Sequence, residues 1–351
     1  MTSLAAYIVR RLILLIFVII GVTVLVFALT MLFTPMQRAI MYARNADQTN
    51  PLYFPEIIRK YGLDQPFYVQ YFNWFSQVLQ GNLGWSISGP GPVINVISSR
   101  WPYTFEIVLF AAPLIIFIGI YLGVQSAIHR NGLIDHSCRL VSIAGWSLPS
   151  FWLGLLLLAI FAGQLRWFPA GGALAQNTVN FIKDGVAHGT FTRFTGIDIL
   201  DGLLNLQPWV TIDALRHVVL PVIVIVTIDI ALLIRVMRSS MLEALNKAYI
   251  TTAKAKGLSM NTVIYKHARR NALIPVATLS GLMVAGLLSG LVITETVFAF
   301  GGLGSWAASA AVQTDIPGVL GYAILSAVLF VLANLIVDIM YAYIDPRIRL
   351  E

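Results

Sequence analysis

Four acidic side chains lie inside or beside long apolar segments of the sequence, and they are its first candidates for chemistry. They are Glu106, Asp229, Glu295 and Asp338. Because a carboxylate is costly to bury in hydrocarbon, an acid in such a segment is a candidate functional residue. Asp229 lies deepest, and it could contact the cationic end of a substrate or pair with a cation on a partner helix. Asp338 is expected to brace the helix bundle, whereas Glu106 and Glu295 are expected near the outer face, where water could hydrate them.

Motifs for enzymatic chemistry are absent from the sequence. There is no G-x-x-x-x-G-K-[ST] phosphate loop and no His-Glu-x-x-His pair. The five histidines are scattered, and the single cysteine, Cys138, cannot form an internal disulfide. We therefore expect no catalytic residue, no metal site and no cofactor in this chain.

A basic stretch between two apolar segments carries the excess charge of the protein. From Arg235 to Asn271 there are eight Lys or Arg residues and one acid, Glu243, which leaves a charge of +7. The formal net charge of the whole chain is also +7, so the other segments are close to neutral. Such clustering favours membrane orientation together with a docking surface, and it disfavours nucleic-acid binding.

The pattern within this stretch is helical. Residues on one predicted face recur at three- and four-residue steps: Met241, Leu245, Ala248, Tyr249, Thr252 and Ala255. Gly257 then follows as a left-handed residue would after a helix, and Ser259 can cap a second short helix. We predict two short helices joined at a glycine elbow. The elbow is small and polar, which favours insertion into a cleft on another protein; the alternative is a basic segment that touches anionic lipid.

Two motifs in this stretch resemble the cytoplasmic EAA loop of ABC-importer permeases. The motifs are Ala253-Lys-Ala-Lys-Gly257-Leu-Ser and Arg270-Asn-Ala-Leu-Ile-Pro275. Thr251, Thr252 and Ala253 stand in the Glu-Ala-Ala positions, and the first two depart from the general pattern. The gap from Gly257 to Pro275 is also longer than in sugar and amino-acid permeases. Both departures resemble the oligopeptide/dipeptide/nickel branch of the family.

The resemblance implies that this loop docks onto an ATPase. The residues expected to form the docking surface are Glu243, Tyr249, Thr251, Thr252, Ala253, Lys254, Ala255, Lys256, Gly257 and Leu258.

Composition identifies the chain as an integral membrane protein. Of its 351 residues, 58% are hydrophobic and only 11% are charged, whereas a soluble domain has about 25% charged residues. Six apolar segments are long enough to cross a hydrocarbon core of about 30 Å. The segments are 7–33, 101–128, 139–163, 217–237, 272–298 and 317–344. We predict an all-α membrane protein with six transmembrane helices, and the resemblance implies the type I ABC-importer permease fold.

Charge and sequence order organise these six segments. Lys and Arg concentrate in short segments on one side, which places both termini in the cytoplasm. The predicted regions are a first helix, an external region with short helices and a five-helix core, at 1–33, 34–100 and 101–345. The core includes an external loop at 164–216 and a cytoplasmic coupling loop at 239–271. Pro149 predicts a kink in the third segment, and the Gly119-x-x-x-Gly123 pattern permits close helix packing.

The resemblance also implies a function and a set of partners. It implies a permease subunit that moves di- or oligopeptides across the cytoplasmic membrane of a prokaryote by ATP-driven alternating access. Its partners would be a second homologous permease, two cytoplasmic ATPases that bind ATP and Mg²⁺, an external substrate-binding protein and the lipid bilayer. Import of oligosaccharides remains the main alternative, with nickel a lesser one, and a stand-alone secondary transporter is a third possibility.

Overall fold

The computed structural model describes residues 4–39 and 53–344, and most residues in these two ranges are helical. The first helices are α1 (Leu4–Thr30), α2 (Pro35–Ala39), α3 (Tyr53–Tyr61) and α4 (Phe67–Leu79). The middle of the chain contains α5 (Val93–Ile128), α6 (Leu133–Ser147), α7 (Ser150–Leu157), α8 (Gln176–Ala187) and α9 (Asp198–Leu204). The last helices are α10 (Pro208–Leu245), α11 (Ala248–Ala255), α12 (Arg269–Ser289), α13 (Val292–Val297), α14 (Leu303–Val312) and α15 (Ile316–Ile344).

Within the described ranges, other regular structure is limited to short pieces. A π-helix at Leu158–Gln164 continues α7, and a second at Thr262–Ala268 leads into α12. Two short strands, β1 (Trp85–Ser86) and β2 (Gly91–Pro92), pair antiparallel.

Five helical segments in the described residues are long and apolar enough to cross a membrane. They are Leu12–Thr30, Val93–Ile128, Pro208–Leu245, Thr262–Val297 and Ile316–Val337. The pair formed by α6 and the segment Ser150–Gln164 makes a sixth if the two parts are counted as one span. Helices suit this environment because every backbone group along them is hydrogen-bonded within the segment.

The break between α6 and α7 is sharper than the kink predicted for the third apolar segment. The two helices meet at an angle of 98°. Leu148 adopts an extended conformation, with φ −82° and ψ 127°, because the ring of Pro149 disfavours a helical conformation in the residue before it. The helix then restarts at Ser150 after the proline.

The core lies along the contact between α5 and α10. Two glycines of α5 allow this close approach, as the small-residue pattern predicted. A Cβ atom at Gly119 would lie 2.7 Å from Leu233, and one at Gly123 would lie 2.5 Å from Met237. Any larger residue at either position would push the two helices apart.

Three helix boundaries differ from the sequence-based prediction. Helix α5 begins at Val93, before the predicted start at residue 101, and α10 extends beyond the predicted segment 217–237 at both ends. Buried Val210 and Ala214 explain the early start of α10, since they pack into the core. The predicted second short helix is also wrong as a separate element, because helix runs from residue 260 through the π-helix into α12.

Two contacts hold the segment before α5 against the bundle. The hydroxyl of Tyr71 on α4 lies 3.0 Å from that of Thr23 on α1. The buried carboxylate of Asp315 accepts hydrogen bonds from the backbone N–H groups of Ile87 and Ser88, both at 3.0 Å. These bonds attach the loop that follows β1 to the start of α15.

Candidate functional site

Helix α11 stands out from the bundle as an exposed, basic element. Among the ten residues predicted for docking, all except Ala253 are exposed. Tyr249, Thr252 and Ala255, which the periodicity places on one face, lie on its outward side. The helix therefore presents a short surface of small and polar side chains that the rest of the described chain does not cover.

Two inward residues fix α11 to the core. Ile250 and Ala253 lie one turn apart and are both buried, at 1% and 7% exposure. They belong to the same apolar cluster as Val263, Ile264 and Ala268 on the following helix. Ala253 thus faces the core of this chain, whereas the prediction placed it with the outward docking residues.

The end of α11 is closed by a C-terminal cap at Gly257. The N–H of Gly257 donates to the Lys254 carbonyl at 2.9 Å, and the N–H of Leu258 donates to the Ala253 carbonyl at 3.3 Å. This pair of bonds is the Schellman motif, which needs a left-handed residue, and Gly257 has φ +73°. Ser259 then begins the next helix, with its hydroxyl oxygen 3.4 Å from the N–H of Thr262.

The charge around α11 is positive. Lys254, Lys256 and Lys266 are exposed, as are Arg269 and Arg270. Nearby, Lys247 donates to Glu243 at 2.8 Å across the solvent-exposed surface, which raises the pKa of the lysine. An exposed pair of this kind contributes little to stability, so the surface keeps a net positive field.

A buried ion pair supports the end of the bundle that carries α11. Arg238 of α10 donates to Asp135 of α6 through Nε at 2.6 Å and through Nη2 at 2.8 Å. The hydroxyl of Ser126 and the N–H of Asn131 complete the shell of donors, at 2.6 and 2.9 Å. Asp135 is fully buried, so this two-pronged contact ties α5, α6 and α10 together.

Sequence reasoning missed this pair. The only signal was a single acid, Asp135, in a short turn flanked by His129, Arg130 and Arg139. In the sequence, Arg238 is one more cation of the basic stretch, because its partner Asp135 is 103 positions away.

Asp229 lies on α10 and is half-buried. Within residues 4–39 and 53–344, no group hydrogen-bonds to its carboxylate or forms an ion pair with it. A cation on a partner helix of this chain is therefore not found in the described part, and the role of Asp229 in a pathway remains a prediction.

Two acids expected to be hydrated are buried instead. Glu106 and Glu295 are both fully inaccessible to solvent. Glu295 accepts hydrogen bonds from the Thr104 hydroxyl at 2.7 Å and from the backbone N–H of Ser305 at 2.8 Å. Glu106 accepts one bond on Oε1, from the N–H of Ile199 at 2.8 Å, while Oε2 has no hydrogen-bond partner. Helices α9, α13 and α14 cover these carboxylates, and the sequence pattern does not reveal that cover.

A cavity of about 760 Å³ lies at the end of the bundle opposite α11, and Tyr103 and Asp198 are among the residues that line it. Its charged lining consists of Arg100, Lys183, Arg193 and Asp198. Arg193 forms an ion pair with Oδ1 of Asp198 at 3.1 Å, but neither carboxylate oxygen of Asp198 has a hydrogen-bond partner. Burial raises the pKa of Asp198 to about 6.

Two predictions stay untested: the bracing role of Asp338 and the expected absence of a metal site. Asp338 lies on α15, but its side chain is outside the described residues, so its bracing role stays a prediction. In the described ranges, no three His, Cys, Asp or Glu side chains are grouped closely enough to hold a metal ion.

Comparison with known proteins gives matches along nearly the whole chain. Residues 115–350 match the family described as binding-protein-dependent transport system inner membrane component. Residues 4–108 match the family of N-terminal parts of such membrane components.

Similar proteins align with this chain over nearly the full length of both sequences. The chain is 40% identical to a di/tripeptide transport system permease protein of Pseudomonas aeruginosa, over 98% of each chain. It is 37% identical to an oligopeptide transport system permease protein of Bacillus subtilis, over 98% of this chain and 99% of the relative. It is 36% identical to a dipeptide transport system permease protein of Escherichia coli, over 98% of each.

Proposed function

This chain belongs to the family of binding-protein-dependent transport system inner membrane components, and from that premise we propose that it is the permease subunit of an ABC importer for di- and oligopeptides. It is a multi-pass protein of a prokaryotic cell membrane. Its complex would contain a second permease, two ATPases that bind ATP and Mg²⁺, and an external binding protein. Three relatives with 36–40% identity are named as di/tripeptide, oligopeptide or dipeptide permeases, which supports peptide as the substrate class.

The observation that supports this proposal most strongly is the geometry of α11. A short helix with an exposed outer face, two buried inner residues and a capped end is suited to fill a cleft on another protein. Its small outward residues, Thr252 and Ala255, allow the backbone to approach a partner closely. A stand-alone transporter would have no need of such a surface.

We propose six spans with both termini in the cytoplasm. In this arrangement α6 and the segment Ser150–Gln164 together form one broken span. Broken helices are tolerated in membranes where the exposed backbone is buried in protein or lines a cavity. The basic residues near α11 would then face the cytoplasm, in agreement with the positive-inside rule.

Movement of α11 would couple ATP hydrolysis to transport. The ATPases would displace the segment 251–257, and the buried contacts of Ile250 and Ala253 would pass that displacement to the core. Because α10 runs about 57 Å at 1.5 Å per residue, a tilt at this end would alter the opposite end of the bundle. Asp229, partway along α10, would contact the amino group of the peptide on its way.

A matched pair of tryptophan variants tests the docking surface. Ala255→Trp places a bulky side chain on the outward face of α11, and Ala311→Trp places one on an exposed position of α14. We expect Ala255→Trp to abolish co-purification with the ATPases and Ala311→Trp to preserve it, with equal thermal stability of the two permeases. An intact complex with Ala255→Trp would show that α11 is not the docking element.

Calorimetry on the external binding protein tests the substrate class. We expect binding of di- and oligopeptides and none of oligosaccharides. Asp229→Asn should then reduce uptake of peptides with a free amino terminus more than uptake of N-acetylated peptides. Sugar binding would overturn the peptide assignment while leaving the importer architecture in place.

A further inference from the structure

A second, smaller cavity lies between α6 and α10, near the end that carries α11. Its volume is about 280 Å³. Arg139, Arg235 and Arg238 line it, together with Ser142 and Ser239. The cavity plays no part in the proposed docking of α11 or in the path of the substrate.

The charges around this cavity do not cancel. Asp135 is in contact with two of the three arginines, Arg238 and Arg139, and Arg238 occupies both of its oxygens. Arg139 lies farther from Asp135, at 3.7 Å, and its side chain is 44% exposed. Arg235 forms no ion pair with any described residue; its guanidinium lies 6.0 Å from the ring centre of Trp146. The site thus has an excess of two positive charges, which favours an anion.

A buried hydroxyl in the cavity wall has no partner. Ser142 is 5% exposed, and its Oγ has no hydrogen-bond partner. An unpartnered buried hydroxyl costs stability, so its position beside the arginines indicates that a ligand oxygen can accept a hydrogen bond from it. Arginine and serine donors on one site are typical of phosphate recognition.

The outer surface beside the cavity is apolar. Leu140, Ile143 and Trp146 on α6 are each more than half exposed. In a membrane protein such a surface is solvated by acyl chains, and a tryptophan beside an arginine is typical of the level of the lipid headgroups. A lipid whose anionic headgroup binds in the cavity can therefore extend its acyl chain along the apolar surface of α6.

We propose that this cavity binds the phosphate group of an anionic phospholipid. Arg139 and Arg235 contact the phosphate oxygens, Ser142 donates a hydrogen bond to one of them, and the acyl chains lie along Ile143 and Trp146. A volume of about 280 Å³ accommodates a phosphate with its glycerol, and it leaves little room for a larger headgroup. Basic pockets between transmembrane helices are known to bind such headgroups.

Thermal unfolding and native mass spectrometry of the delipidated full-length permease test the proposal. The probes are phosphatidylglycerol, phosphatidylcholine and inorganic phosphate. We expect phosphatidylglycerol to bind and to raise Tm, phosphatidylcholine to do so much less, and phosphate alone to have no effect at matched concentration. The double variant Arg139→Gln/Arg235→Gln should lower the apparent affinity for phosphatidylglycerol about thirtyfold, since each arginine near an anionic lipid contributes about 1 kcal/mol and about 1.4 kcal/mol is a factor of ten.

Two further variants separate this site from general charge effects. Arg130→Gln/Arg270→Gln removes the same charge from exposed positions outside the cavity, and it should leave lipid binding unchanged. Ser142→Ala should weaken lipid binding without lowering the Tm of the delipidated protein, because it removes an unpartnered hydroxyl.

Three results would overturn the proposal. They are equal lipid binding by the two double variants, a Tm rise with phosphate alone, and binding of phosphatidylcholine as strong as that of phosphatidylglycerol. None of them bears on whether the chain transports peptides, so the two proposals fail independently.

Discussion

Buried carboxylates at the two ends of the helix bundle differ in how completely they are hydrogen-bonded. At the end that carries α11, Asp135 accepts hydrogen bonds on both oxygens, two of them from Arg238. At the opposite end, Glu106 and Asp198 are both buried, Asp198 in the wall of the larger cavity, and each has an oxygen without a hydrogen-bond partner. Arg238 and Thr211, which stand near these two ends on α10, are separated by about 40 Å of helix.

This difference in hydrogen bonding indicates that one end of the bundle is a rigid support and that the other can respond to its surroundings. A fully bonded buried ion pair fixes the relative positions of α5, α6 and α10, as a rigid support for α11 requires. Incompletely bonded acids leave the opposite end with polar groups that respond to pH or to a ligand. Substitutions of Asp135, Asp198 and Glu106 test this contrast, and a glycine substitution tests the cap of α11; they follow in order of decreasing expected effect.

Asp135→Asn should destabilise the protein most. The change leaves the charge of Arg238 without its partner and points an amide toward other donors. Removing one member of a buried ion pair costs about 3–5 kcal/mol, and we expect about 3 because Arg238 is one-fifth exposed. Denaturant titration in detergent measures this loss, with the exposed Asp184→Asn as control. A loss below about 1 kcal/mol would contradict the supporting role of the pair.

Asp198 should make stability depend on pH. Its pKa is raised to about 6 by burial, so between about pH 4 and 6 the folded state holds more protons than the unfolded state. Stability contributed by Asp198 therefore falls as pH rises through this window, by up to about 3 kcal/mol. Asp198→Asn should remove this dependence, while Arg193, partly exposed, remains solvated.

Tm measured at pH 4.5 and pH 7 checks this prediction. The stability of Asp198→Asn relative to the wild type should be greater at pH 7 than at pH 4.5. Asp184→Asn again serves as control. An unchanged pH profile in Asp198→Asn would show that Asp198 is not the titrating group at this end.

Gly257→Ala should cost about 1 kcal/mol, because Gly257 has φ +73° and alanine is strained there. The space around it is open, so the loss comes from the backbone alone. Gly286→Ala is the matched control, since Gly286 lies inside α12, also has open space and has no positive φ. That change should stabilise the protein by about 0.5–1 kcal/mol. Equal effects at the two glycines would rule out the capping role of Gly257.

Glu106→Gln should change stability least, by about 0.5 kcal/mol or less. The amide oxygen can still accept the bond from Ile199, and the carboxylate oxygen that is replaced has no hydrogen-bond partner to lose. Measured beside Asp135→Asn, it compares two fully buried carboxylates directly. A loss as large as that of Asp135→Asn would remove the contrast between the two ends.

Sequence alone predicted the features that depend on local composition. The long apolar segments identify spanning helices because hydrocarbon thickness sets their length. The end of α11 was predictable from Gly257, since few other residues adopt its conformation. The exposed, basic character of the coupling stretch followed from its charge and small residues.

Tertiary structure decided the features that depend on distant contacts. The pairing of Asp135 with Arg238, the burial of Glu106 and Glu295, and the inward position of Ala253 all arise from helices that are far apart in the sequence. Periodicity shows that a helix has faces, but only packing determines which face is covered. The hydration of an acidic side chain likewise depends on which helices cover it, and the fold as a whole determines that cover.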